Sequence, residues 1–119
     1  MLYTREDIAD AWYSDYFPST RAWMDASHPL RDELMAQLPS ARRIELVFDD
    51  LEDASLAALS AFPEKLLDAG WRGQTSYFER LARDHPGELR AGLERLRADI
   101  DAGRPPVGQG VATVIAWSP

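Results

Sequence analysis

The run Gly-Val-Ala-Thr-Val-Ile-Ala-Trp at residues 110–117 constrains this chain more than any other stretch. One parity holds Val111, Thr113, Ile115 and Trp117, and the other holds Ala112, Val114 and Ala116. Neither parity carries a charge. A β-branched run opened by Gly110 and closed by Ser118-Pro119 predicts a strand covered on both faces. Such a strand belongs inside a sheet, with neighbours on both edges and helices above and below. One other segment, residues 43–48, reads as a convincing strand. There Ile44, Leu46 and Phe48 share a face while Glu45 and Asp49 lie on the other, which suits a half-exposed edge strand. The sequence therefore holds an interior strand and one edge partner, and lacks a strand for the other side.

Composition bounds what the chain can do. Its 119 residues make about one domain, residues 1–119. With 45% hydrophobic and 28% charged residues it can bury a core and does not have a disordered composition. The net charge of -7 argues against nucleic-acid binding, which needs a basic surface to displace counterions. The best candidate for a local basic patch is Arg90, Arg95 and Arg97, interleaved with Glu88, Glu94 and Asp99. The absence of cysteine excludes disulfides, zinc–thiolate sites and a cysteine nucleophile, and fits a cytoplasmic location. No apolar run reaches the ~18 residues of a membrane span. The acidic Glu6, Asp7 and Asp10 are unlike a signal peptide.

Along the chain, Thr4 is placed to cap a helix on which Ile8, Trp12 and Tyr16 lie four apart, up to Pro18. A short helical turn follows at residues 21–26, and His28-Pro29 breaks it. Leu30, Leu34 and Leu38 stripe the next helix. After the edge strand, residues 51–62 read as helix, Pro63 starts a short one, and Gly70 is placed to end it in a left-handed conformation. Residues 71–74 read as a loop. Ser76 and Glu79 have the spacing of a capping box for a helix to Asp84. Leu89, Leu93, Leu96 and Ile100 mark the longest helix, ended by Gly103. The expected fold is α+β, a two-stranded antiparallel pair covered by five to six helices.

Asp15-Tyr16-Phe17-Pro18, the strand at 43–48 with Asp49-Asp50, the long helix through Leu89 and Ile100, and the closing strand from Val111 to Trp117 together resemble the C-terminal part of a class I S-adenosylmethionine-dependent methyltransferase. The likeness is to the small-molecule type with a helical substrate cap, and it spans nearly the whole chain as an ordering of elements with short sequence echoes. In that family the last strand runs antiparallel between the fifth and sixth strands, and the sixth is the edge. The resemblance implies that residues 43–48 are the sixth strand and 111–117 the seventh. Residues 51–102 are then the subfamily's insertion, and residues 1–38 the region after the fifth strand, including the lid.

The family holds its cofactor in the first half of the fold, with a glycine-rich loop after the first strand and an acid after the second. Neither is present here. Gly103, Gly108 and Gly110 precede the last strand and open no helix. The resemblance thus implies a module that contributes substrate binding or a lid, and that binds S-adenosylmethionine only when paired with a cofactor-binding half. No cofactor-binding residue carries over. The alternative is a stand-alone, non-catalytic domain that binds an apolar small molecule or a protein and acts as a homodimer. An independent small enzyme is disfavoured for want of a nucleophile and base. The expected partner is a second copy or a cofactor-binding chain, paired through the edge from Val111 to Trp117.

Candidate site residues divide into four groups. Trp12, Tyr13, Tyr16 and Phe17 fall in the lid region that, in the resembling family, packs over substrate and cofactor; the helical spacing of Trp12 and Tyr16 equally suits core. Asp49, Asp50, Glu52 and Asp53 could hold a hard cation, although they lack the spacing and glycine of a calcium loop and suit a helix start as well. His28 and His85 are potential bases, but each precedes a proline at a helix end and neither has a triad partner in the sequence. Arg80 with Asp84, Arg90 with Glu94, and Arg97 with Asp101 read as surface ion pairs.

Overall fold

The only sheet among the described residues is a ribbon of two strands that are distant in sequence. It is seen in a computed structural model that describes residues 4–6, 11–38, 40–48, 56–108 and 110–118. Strand β1 (Arg42–Phe48) pairs antiparallel with β2 (Gly110–Ala116), with Arg42 opposite Ala116, Glu45 opposite Thr113 and Phe48 opposite Gly110. The fold is therefore α+β, as the alternation patterns require. No main-chain hydrogen bond joins the outer edge of β2 to another described residue. Strand β2 stops at Ala116, and Trp117 lies beyond it, 56% exposed. Ile115 is buried, while Val114 and Ala116 are half-covered. On β1, Ile44 and Val47 sit on opposite faces and are 37% and 49% exposed, so neither face of that strand is fully sealed.

The core lies among the helices. They are α1 (Tyr13–Tyr16), α2 (Thr20–Ser27), α3 (Arg31–Gln37), α4 (Leu56–Ala61), α5 (Ala69–Arg72), α6 (Ser76–Asp84) and α7 (Pro86–Asp101), with a 3-10 turn at Pro63–Leu67 before α5. Phe17, Phe78, Leu59, Leu66, Leu81 and Leu96 are essentially without solvent contact. Helix α4 packs across the ribbon and ties it to this core. The molecule is elongated, 49 × 29 × 22 Å. Its radius of gyration is 15.4 Å, against about 13.5 Å for a compact chain of this length.

Local chemistry explains where the elements start and stop. Pro86 sits in the first turn of α7, where its missing N–H costs nothing. Gly103 ends that helix at φ 72°, the left-handed conformation glycine adopts without strain. Its N–H donates to the Ile100 carbonyl at 3.0 Å and that of Arg104 to Asp99 at 2.8 Å, the paired closure of a Schellman end. Glu6 reaches the start of α3, where both its carboxylate oxygens accept from the Arg31 N–H at 3.1 and 3.0 Å.

Three local expectations are corrected. The side chain that caps α6 is Thr75, which accepts from the Phe78 N–H at 3.3 Å; Ser76 is already the first helical residue. Gly70 does not end a helix. Asp68 is extended and accepts from the N–H groups of Gly70 and Trp71, so the chain breaks at Asp68 and restarts as α5 through Trp71 and Arg72. The first aromatic stripe is not one continuous helix either, because Ala11 is non-helical and α1 begins at Tyr13. Asp49, Asp50, Glu52 and Asp53 lie outside the described residues, as does Ile8.

Candidate functional site

The four aromatics of the first candidate group are held together and point inward. Trp12, Tyr13, Tyr16 and Phe17 are all buried, with Phe17 fully sealed. They interlock with α6 edge to face: Phe17 meets Phe78 at 5.5 Å between centroids and Tyr13 meets Tyr77 at 5.4 Å. Their polar atoms have protein partners. The Trp12 Nε1–H donates to the Ser60 carbonyl at 2.8 Å, and the Tyr16 hydroxyl to Asp99 Oδ2 at 2.5 Å. Burial first, and then the Asp99 carboxylate, pushes the Tyr16 hydroxyl up to about 12. The Tyr77 hydroxyl donates to Thr20, which in turn donates to the Phe17 carbonyl at 2.6 Å. Burial raises the Tyr77 phenol above its ordinary range. Tyr13 borders a small space of about 20 Å³, room for one water.

An open concavity lies next to this group, between α2 and α6. It measures about 460 Å³, within the usual range of small-molecule sites. Trp23, Met24, Ser27 and His28 line one side, and Ser76, Tyr77, Glu79, Arg80 and Arg83 the other. The spacing follows from the helices: positions 76, 79, 80 and 83 form one face of α6. Met24 and Tyr77 are buried and make an apolar floor that also belongs to the core.

Trp23 organises the rim. The Arg80 guanidinium lies over its ring at 4.2 Å, and the His85 imidazole is nearly parallel to it, 5.7 Å away at 26°. His28 Nδ1 is 3.1 Å from the Met24 carbonyl oxygen and 3.3 Å from Ser27 Oγ, and Nε2 is the ring's other polar atom. Asp84 stands outside the groove and takes Arg80 Nε at 3.6 Å and Arg83 Nε at 2.9 Å. Arg83 Nη2 reaches the same carboxylate at 3.5 Å. These contacts hold the Asp84 carboxyl below its usual range, chiefly through the hydrogen bond from Arg83.

Of the two histidines named from the sequence, His28 lines the groove and His85 stacks on Trp23 beside it. No group of three or more His, Asp or Glu residues among the described residues is placed to hold a metal. The Arg80–Asp84 pair forms as expected. Arg90 with Glu94 and Arg97 with Asp101 form no ion pair among the described residues. Asp99, Arg95 and Asp15 instead gather around Tyr16: the Arg95 guanidinium lies 4.7 Å from the Tyr16 ring centre and donates to the Asp15 carbonyl at 3.2 Å. Sequence spacing singled out neither Trp23 nor Arg83, because nothing in a linear stripe says that α2 and α6 face each other.

No described helix is long and apolar enough to cross a membrane. Comparison with protein-family models, with curated proteins and with solved structures returns no match.

Proposed function

We propose that the chain is a methyltransferase-related module that supplies the substrate-binding, lid-bearing part of a methyltransferase. A separate cofactor-binding half would add its sheet along the outer edge of β2 and hold S-adenosylmethionine. The observation that carries this reading is the ribbon. The last strand of the chain runs antiparallel beside β1, and its other edge has no main-chain partner among the described residues. A strand flanked on one side only presents a row of unpaired donors and acceptors, which is a template for another strand. In the resembling family that place is taken by the fifth strand. On this reading Trp12, Tyr13, Tyr16 and Phe17 are the interior of the lid, and substrate meets its outer surface. The cysteine-free composition supports a cytoplasmic setting.

Calorimetry of S-adenosylmethionine into the isolated chain tests the reading. No binding heat is expected. A Kd tighter than about 100 μM would contradict it, because the cofactor would then have a site on this chain.

The same edge favours a second reading in which two copies pair and the chain acts as a non-catalytic binding domain. An isolated two-stranded ribbon is marginal in water, and three or more strands make a stable sheet. Strand β2 is free of charge in a chain of net charge -7, so two copies can approach there without like charges meeting. Antiparallel pairing of β2 with its copy is isologous and closes as a dimer with a four-stranded sheet.

A further inference from the structure

We propose that the groove between α2 and α6 binds an amphipathic organic monoanion, its planar apolar body on Met24, Tyr77 and Trp23 and its carboxylate or sulfonate on Arg80 and Arg83. The inference stands apart from the reading of the β2 edge and uses none of its residues. It begins with the floor: Met24 and Tyr77 are packed from below by the core and offer a fixed apolar surface to whatever enters. Trp23 extends that surface at the rim, and the Arg80 guanidinium already lies over its ring at 4.2 Å. A planar ring bearing an acid finds apolar contact and a cation side by side.

The charges decide the sign of the ligand. The lining carries Arg80 and Arg83 against one carboxylate, Glu79. Asp84, outside the groove, takes Arg80 through Nε alone and Arg83 through Nε and Nη2. Both Nη groups of Arg80 and Nη1 of Arg83 therefore have no hydrogen-bond acceptor among the described residues. They are donors without acceptors, and a guanidinium fork suits an oxyanion's geometry. The single Glu79 opposes a second negative charge on the ligand, which selects a monoanion. The whole chain repels anions at net charge -7, so affinity for one must be local.

The probes are anilinonaphthalene sulfonate and its uncharged relative phenylnaphthylamine, which share the ring body and differ in the acid. Binding is followed by dye fluorescence excited through the tryptophans. The sulfonate is expected to bind at about 10–100 μM and the neutral dye at least tenfold more weakly. R80Q with R83Q lowers sulfonate affinity about tenfold and leaves the neutral dye unchanged. D84N releases both guanidiniums and tightens the sulfonate about threefold at unchanged melting temperature, a gain that misfolding of the arginine variant cannot imitate. Equal binding of the two dyes, indifference of the sulfonate to R80Q with R83Q, or no gain in D84N would each overturn the assignment.

Discussion

The Tyr16 hydroxyl donates to Asp99 across 83 residues of chain and fastens α1 to the last third of α7 at 2.5 Å. The Tyr16 ring is buried and the bond itself is part-buried, so the hydroxyl is held mainly by its protein partner. Tyr16→Phe removes the donor and is expected to cost about 1–2 kcal/mol. Asp99→Ala strands the phenol and costs a similar amount. In a double-mutant cycle the two losses are expected to overlap rather than add, as chemical denaturation would show.

Alkaline pH should weaken the fold through the same residue. A buried phenol beside a carboxylate resists ionisation, and the Tyr16 hydroxyl titrates near about 12, above the ~10 of an exposed tyrosine. The raised value means that its contribution is fully present below the unfolded pKa and lost as pH rises through the folded one. Tyr77 is shifted in the same direction. On this basis, stability is flat in these groups up to about pH 10 and falls between about pH 10 and 12. Tyr16→Phe shallows that fall, measured by melting curves across the range.

Two glycines of α7 should respond oppositely to alanine. A Cβ on Gly92 would sit 2.3 Å from Phe17 Cε1 and 2.6 Å from the Tyr16 carbonyl oxygen, so α1 must move away. Gly92→Ala is expected to cost about 1–3 kcal/mol despite the better helix propensity of alanine. At Gly87 a Cβ meets nothing within 4 Å. Gly87→Ala should gain a few tenths of a kcal/mol to about 1, which thermal unfolding of the pair would reveal.

The start of α6 separates two readings of one stretch. Because Thr75 holds the Phe78 N–H, Thr75→Ala should cost about 1 kcal/mol. Ser76→Ala, at an exposed first helical position, should change stability by less than about 0.5 kcal/mol. A larger loss at Ser76 than at Thr75 in denaturant titrations would return the cap to Ser76.

Much of the fold was legible because local rules coincide with tertiary packing. The stripe of Leu89, Leu93, Leu96 and Ile100 is a helix ended by Gly103, and the alternation around Ile44 and Leu46 is a strand paired with the closing run. The break at Asp68 was missed because Gly70 gave a competing signal two residues later. The candidate site was less legible. Periodicity could say that Trp12 and Tyr16 share a stripe, and the structure buries both. It could not say that Trp23 of α2 would meet Arg80 and His85, since those contacts depend on how two helices cross.

The central claim is that the outer edge of β2 takes a further strand, supplied by a second copy when no cofactor-binding half is present. Light scattering of the isolated chain over a rising concentration series tests it most directly. The account predicts a mass that climbs to twice that of the chain, and a mass that stays at one chain up to the highest concentration would contradict it.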